Sequence, residues 1–142
     1  MTQAETVDPK KLEAFLGQIV GDAGAAMSAA LVVIGDRLGL YKALAKGPAT
    51  AAELAERTST AERYVQEWLD AQAASGYVKY AKDSETYELG PEQATAFAEE
   101  LSPAFVPGFF QLMHAMWSAV DRISDRFKTG DGLPWGEHHQ CL

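Results

Sequence analysis

The C-terminal segment of this 142-residue chain concentrates the side chains that can bind a metal or transfer a proton. Glu137, His138, His139 and Cys141 follow one another closely. Adjacent histidines on an extended segment point to opposite sides, and His114 lies by itself on a predicted helix, so we expect no structural zinc site. Two interpretations stay open. The segment is a solvated or partner-packed loop, or His138 or His139 lines a substrate pocket that residues outside this chain complete.

An apolar stripe on the last long predicted helix could hold a ligand. Its members recur every three or four positions, which places them on one helix face. Core packing is the commoner reason for such a stripe, and a ligand lid or a contact with a partner domain is the alternative. The stripe consists of Phe109, Met113, Trp117, Val120, Ile123 and Phe127, and it is widened by Phe110, Leu112 and Met116.

Nucleotide-like cofactors need a glycine-rich loop between a strand and a helix N-terminus. The one glycine cluster, Gly17, Gly21 and Gly24, lies within or at the end of a predicted amphipathic helix with no strand before it. We therefore interpret these glycines as sites of close helix packing, and we expect no cofactor on this chain.

Residues 47–90 have the pattern of a helix-turn-helix followed by a two-stranded wing. Thr50 with Glu53, and Ser59 with Glu62, each match a capping box that opens a short helix. The inward faces of these two helices are predicted to be Leu54 and Ala55, and Tyr64, Val65, Trp68 and Leu69.

The wing follows Gly76, which is placed to end the second helix. Residues 77–80 and 86–89 are β-rich and are separated by a polar loop at residues 82–85. The sequence therefore predicts a mainly α fold, with a winged helix-turn-helix flanked by N-terminal helices and by long C-terminal helices.

The N-terminal helices are the predicted dimer surface. Residues 1–7 resemble a frayed tail, and Asp8-Pro9 starts an amphipathic helix through Val20. The region at residues 24–45 differs, because residues 25–34 are apolar on nearly every face and so need cover on several sides. A partner chain and the rest of the same domain are equally compatible with this pattern.

After the wing, we predict a helix from Glu92 to about Glu100.

Composition limits the choice of partners. The net charge is −8, so the field of the whole molecule repels phosphate backbones and anionic membranes. The longest apolar stretch, residues 23–34, is too short to span a bilayer, so we predict no membrane segment. A single cysteine and the absence of a signal-peptide pattern at the N-terminus favour a reducing cytoplasm.

DNA is an unfavoured partner for the helix-turn-helix. Arg63, Gln66 and Gln72 are the residues of its second helix that could read base edges. Acidic residues share that helix and also the wing, where Lys79 and Lys82 are outnumbered, so neither element forms a basic stripe. The acidic residues concerned are Glu62, Glu67 and Asp70 on the helix and Asp83, Glu85 and Glu88 in the wing.

Taken together, these segments resemble the N-terminal region of bacterial class I SAM-dependent methyltransferases that carry a winged-helix dimerisation domain. The resemblance covers nearly the whole chain. It is carried by residues 29–44 (AALVVIGDRLGLYKAL), 50–55 (TAAELA), 64–69 (YVQEWL), 74–78 (ASGYV), 87–89 (YEL) and 134–139 (PWGEHH).

The resemblance implies a homodimer, formed through residues 1–46, and a winged helix-turn-helix at residues 47–90. It also implies a helical segment at residues 91–142 that covers a small-molecule substrate and leads to a SAM-binding domain absent from this sequence. Without that domain, we expect no methyl transfer by this chain alone. The alternatives are a DNA-binding transcriptional regulator and a small-molecule-binding helical protein. The predicted pocket wall is Phe109, Phe110, Met113, Met116 and Trp117, and the predicted rim is Trp135, His138 and His139.

Overall fold

The computed structural model describes residues 6–139, and its architecture confirms the predicted winged helix-turn-helix. Within these residues, one small antiparallel sheet follows the helix-turn-helix, and long helices precede and follow this unit along the chain. The elements are α1 (Pro9–Arg37), α2 (Leu40–Leu44), α3 (Ala51–Thr58), α4 (Glu62–Ala74), β1 (Lys79–Ala81), β2 (Thr86–Glu88), α5 (Pro91–Phe97), α6 (Pro107–Ser118), α7 (Val120–Thr129) and a 3-10 turn (Trp135–Glu137).

The N-terminal region is one continuous helix rather than the two that the sequence predicted. Asp8 caps α1 by accepting hydrogen bonds from the Lys10 and Lys11 amides, as expected for Asp-Pro at a helix start. Helix α1 then continues for 29 residues to Arg37. A glycine inside a helix costs about 1 kcal/mol but does not end it, so the predicted break near Gly24 was wrong. The chain turns instead at Gly39, which has φ 68°.

The first capping box is confirmed and the second is wrong. Thr50 accepts a hydrogen bond from the Glu53 amide, while the Glu53 carboxylate accepts one from the Thr50 amide. That bond from the Thr50 amide lowers the pKa of Glu53. Ser59 instead ends α3 with φ 54°, and Ala61 precedes α4 without a side-chain cap. A residue in the left-handed conformation that closes one helix cannot also supply the extended backbone that opens the next.

The wing is shorter than predicted but has the predicted pairing. Lys79 pairs with Glu88 and Ala81 with Thr86, so strand pairing starts two residues later than Tyr77 and ends before Leu89. Ala49 adds an isolated bridge, exchanging two backbone hydrogen bonds with Tyr87 at 3.0 and 2.8 Å.

The core lies where α1 and α2 meet α3, α4 and α5. Tyr41 stacks on Phe97 at a centroid distance of 4.7 Å and meets the edge of Trp68 at 4.9 Å. The Trp68 indole donates a hydrogen bond to the Leu31 carbonyl at 2.9 Å, which fixes α4 against the second half of α1. Tyr64 was predicted to face inward, but it is 70% exposed and lies on the outer face of α4. Leu54, Ala55, Val65, Trp68 and Leu69 are buried as predicted.

A buried hydrogen bond crosses this core. The Tyr41 hydroxyl donates to Gln72 Oε1 at 2.5 Å, and Gln72 is fully buried. Burial raises the pKa of Tyr41, so the phenol is a neutral donor under ordinary conditions.

The C-terminal helices are shorter than predicted. The helix after the wing ends at Phe97 rather than near Glu100, and the last long helix breaks at Ala119 into α6 and α7. Ala119 is almost fully buried and lies between the two helices, with φ −102° and ψ −2°. Gly130, with φ 81°, then ends α7.

Candidate functional site

A groove of about 930 Å³ runs between α1, α6 and α7, and we name it the α1–α6 groove. The α1 side of this groove is built from small residues, whereas the opposite side carries large apolar ones. Alanines cannot fill the space facing aromatic and methionine side chains, so a cavity is left between the helices. The groove is lined by Asp22, Ala25, Ala26, Ala29, Tyr77, Phe110, Met113, Met116, Trp117, Val120, Ile123, Ser124 and Phe127.

A smaller and more enclosed pocket of about 370 Å³ adjoins the groove near the end of α1, and we name it the inner pocket. Arg37 donates a hydrogen bond to Gln111 Oε1 at 3.2 Å, which links the end of α1 to the start of α6. The lining of the inner pocket is apolar except for Arg37 and His114. The inner pocket is lined by Ala26, Ala29, Ala30, Val33, Ile34, Arg37, Phe110, Met113, His114 and Trp117.

The structure brings together four of the five residues predicted as a pocket wall. Phe110, Met113 and Trp117 line both cavities, and Met116 lines the α1–α6 groove. Phe109 lines neither cavity and is 69% exposed. Phe109 and Phe110 are adjacent on α6, so their side chains point about 100° apart, and Phe110 rather than Phe109 faces α1.

The three predicted rim residues divide into two groups. The rings of Trp135 and His138 pack on each other, with centroids 5.5 Å apart, and neither residue lines a cavity. His139 contacts His114 edge to face at 4.8 Å, so it reaches the wall of the inner pocket. Arg126 binds the Glu137 carboxylate at 3.1 Å and Arg122 binds its carbonyl, which holds the segment across α7.

The sequence predicted that Glu137, His138, His139 and Cys141 do not form a structural zinc site. Within residues 6–139, no group of three histidine, cysteine or acidic side chains is arranged to hold a metal ion. Cys141, the fourth member of the cluster, lies outside the described residues.

Sequence reasoning missed the α1 side of the cavities. Asp22, Ala26, Ala29, Val33 and Arg37 follow each other at intervals of three or four residues, so they share one face of α1. A line of alanines at helical spacing was the available signal, since small residues facing a bulky stripe leave room for a ligand. His114 was considered only as a metal ligand and not as part of a pocket.

The helix-turn-helix presents few side chains that could read DNA. Gln72 is fully buried, so it is not one of the base readers that the sequence allowed. Gln66 donates to both Asp70 and the Tyr87 hydroxyl, at about 3.0 and 2.7 Å. Arg63 lies over the Tyr64 ring at 5.6 Å. Two of the three candidate readers are therefore engaged within the domain.

The same cluster ties the wing to α4. Tyr87 donates to Asp70 at 2.5 Å while its own oxygen accepts from Gln66. Burial, together with the bond to Asp70, raises the pKa of Tyr87 to about 12. The phenol therefore stays protonated and keeps donating across the ordinary pH range.

The first half of α1 carries a second apolar surface. Residues 9–24 are all exposed, and Leu12, Phe15, Leu16 and Ile19 form a stripe on one side of this half, which we name the α1 stripe. Helix α1 is also long and apolar enough to cross a membrane, whereas the sequence analysis predicted no membrane segment. Core helices of soluble proteins and signal sequences pass the same test, so a single helix of this kind is weak evidence for a membrane span.

The glycine cluster does not form a cofactor cradle. Gly17, Gly21 and Gly24 lie inside the exposed half of α1, with no atom within 4 Å of the position that a Cβ would take. The prediction that these glycines are sites of close helix packing was therefore wrong for the described residues. The one sheet in residues 6–139 has two antiparallel strands, whereas a Rossmann-type dinucleotide site is built on a parallel sheet with a glycine-rich turn before a helix.

Solved structures with a similar fold include methyltransferases. The chain superposes on mitomycin 7-O-methyltransferase MmcR with a TM-score of 0.67 at 23% identity, covering 87% of this chain and 37% of that one. For PigF with SAH, the TM-score is 0.64 at 18% identity, with 92% and 39% covered. For human N-acetylserotonin methyltransferase in complex with SAM, the TM-score is 0.62 at 16% identity, covering 94% of this chain and 38% of that one.

At these identities, the similarity establishes the fold. The chain spans less than two fifths of the length of each of these three proteins. A comparison with curated protein sequences gave no match.

A family model settles the classification. It matches residues 26–99, which include the second half of α1, the helix-turn-helix, the wing and α5. The match covers more than half of the chain. The chain therefore belongs to the family of Rv2258c-like winged helix-turn-helix domains.

Proposed function

We propose that this chain is the dimerisation and substrate-capping domain of a SAM-dependent methyltransferase. The observation that carries the proposal is the α1–α6 groove, an open apolar cavity in a domain whose fold recurs in methyltransferases. Its volume is in the range of small-molecule sites, and its wall is aromatic and aliphatic with few polar atoms, as such sites usually are.

A cap of this kind acts by excluding water and orienting the substrate. Phe110, Met113 and Trp117 offer flat or flexible apolar surfaces, which suit a planar organic substrate and lower the local dielectric around it. The methyl group would come from SAM bound outside the α1–α6 groove. We therefore assign no step of methyl transfer to residues of this chain, and we place SAM binding in a separate domain of the longer protein.

Dimerisation is the second part of the proposal, and the α1 stripe supports it. Phe15 is 57% exposed and Ile19 is 46% exposed, on a segment that projects about 24 Å if it keeps ideal helical rise. An exposed apolar stripe of this length is typical of a protein interface. The proposed dimer surface is thus narrower than residues 1–46, because Val32 and Val33 are already buried within the chain.

We propose neither DNA nor a membrane as a partner of this chain. The net charge of −8 and the internal engagement of Gln66 and Gln72 support this view. The proposed function also assumes the cytoplasmic setting that the sequence favours.

The capping role can be tested with a neutral apolar dye, N-phenyl-1-naphthylamine. We expect saturable binding to the wild-type chain, with energy transfer from Trp117, because the dye should enter the α1–α6 groove. Met113→Asp places a carboxylate in the wall of both cavities and should weaken dye binding at least tenfold, since an unpaired charge in an apolar site is costly.

Phe109→Asp is the matched control, because Phe109 is on the same helix but lines neither cavity. Its affinity for the dye should stay within about twofold of the wild type. Equal losses for the two variants, or no saturable binding at all, would contradict the capping role.

A further inference from the structure

We propose that the inner pocket selects substrates that carry an anionic group on an apolar body, with Arg37 and His114 binding the anion. This inference rests on the proposed capping function and names the substrate class for that same site. The chemical class is an aromatic acid or another flat apolar molecule with one acidic group.

The first argument is the composition of the pocket wall. Eight of its ten residues are alanine, valine, isoleucine, phenylalanine, methionine or tryptophan, and the two others are Arg37 and His114. Among residues 6–139, no acidic residue lines the inner pocket, although the full sequence carries 20 acids and 12 bases. The polar groups of the inner pocket are therefore an arginine and a histidine, in a protein whose net charge is −8. Because the net charge of the whole molecule repels anions, direct contacts with these two side chains would have to favour an anion in the pocket.

The second argument is the bonding of Arg37. Its guanidinium donates to the neutral amide oxygen of Gln111, and none of the three ion pairs among residues 6–139 includes it. A guanidinium has five N–H donors in a planar fork, so donors remain for a carboxylate, which it binds bidentately.

The neighbouring acid does not neutralise this charge. None of the three ion pairs among residues 6–139 includes Asp36. Adjacent residues on a helix point in directions about 100° apart, which separates Asp36 from the face that carries Arg37 and Val33. Asp22 lines the α1–α6 groove but not the inner pocket.

The third argument is the position of His114. It lies one turn beyond Phe110 on the same face of α6, and its ring is half-buried against His139. A histidine has at least one N–H donor in either protonation state, so it adds a second donor to the same pocket. Together, the two residues provide a polar end for a ligand whose body packs on Phe110 and Trp117.

Two dyes with the same aromatic body can test this inference on the intact chain. 1-Anilinonaphthalene-8-sulfonate carries one sulfonate, and N-phenyl-1-naphthylamine carries none. Arg37→Gln removes the charge but keeps a polar side chain of similar length. We expect it to weaken binding of the sulfonate dye roughly tenfold and to leave the neutral dye within about twofold, as for loss of a charged hydrogen bond.

The control is Arg63→Gln, which removes an exposed arginine from α4 and should change neither affinity. His114→Ala should also weaken the sulfonate dye selectively, by a smaller factor than Arg37→Gln. Equal weakening of both dyes by Arg37→Gln would show a structural role and overturn the inference. The same holds if Arg37→Gln has no effect on the sulfonate dye.

These outcomes separate the two proposals. Binding of the neutral dye with the Met113→Asp response intact, but without an Arg37 effect on the sulfonate dye, would overturn anion selection and leave the capping function standing. If neither dye binds the wild-type chain, both proposals fail.

Discussion

The two halves of α1 both carry apolar side chains but have opposite surroundings. Residues 9–24 are all exposed, whereas residues 25–37 include the buried Ala29, Val32 and Val33. The second half packs against α4 through Trp68 and against α6 through Arg37 and Gln111. Periodicity therefore indicates which face of a helix is apolar, but it does not indicate what covers that face.

The largest expected contrast between the halves comes from a buried charge. Val32 is fully buried, so Val32→Asp should lower the free energy of unfolding by more than about 3 kcal/mol and remove the cooperative transition. Val20→Asp, at a residue 71% exposed, should keep the wild-type circular dichroism and a cooperative urea transition. Loss of the fold in both variants would mean that the first half of α1 is also part of the core.

Two glycines of the same helix provide a contrast of intermediate size. A Cβ at Gly35 would lie 2.5 Å from the Trp68 ring and 2.7 Å from the Tyr41 ring, which are both held in the core. Gly35→Ala should therefore destabilise the chain by about 1–3 kcal/mol, despite the better helix propensity of alanine.

Gly24→Ala meets nothing within 4 Å and should leave the chain unchanged or stabilise α1 by up to about 1 kcal/mol. Urea denaturation of both variants measures the difference. If the two substitutions had the same sign and size, the close approach of α1 to Trp68 would be refuted.

The smallest expected contrast is between two helix caps. Thr50→Ala removes a capping box inside the winged-helix unit and should cost about 1 kcal/mol of global stability. Asp8→Ala removes the cap from the exposed end of α1, so it should increase hydrogen exchange of the first turns with little change in the urea midpoint. A matching fall in global stability for Asp8→Ala would show that the exposed half unfolds together with the core.

Local signals in the sequence predicted most of the fold. The Asp8-Pro9 start, the Thr50 capping box and Gly76 at the end of α4 are each decided by a few neighbouring residues, and all three are confirmed. Ser59 shows the limit of this reasoning. Its side chain suits an N-cap, but its backbone closes α3, and the distance between two helices is a tertiary property that spacing alone does not define.

The candidate site was predictable on one side only. The bulky stripe on α6 is visible in the sequence, and Phe110, Met113, Met116 and Trp117 do face a cavity. The opposite wall consists of alanines and depends on which face of α1 meets α6. The assignment of Phe109 to the wall failed to match the geometry for the same reason, since the orientation of α6 follows from packing against α1.

The central claim is that the exposed half of α1 joins two copies of this chain, and the solution mass by light scattering tests it most directly. Substitutions at Val33 would test folding instead, because Val33 is buried within the chain. The informative variant is Phe15→Asp combined with Ile19→Asp, on the α1 stripe. We predict a dimer for the wild-type chain and a folded monomer for this variant. A wild-type monomer, or a dimer that the double substitution leaves intact, would contradict the account.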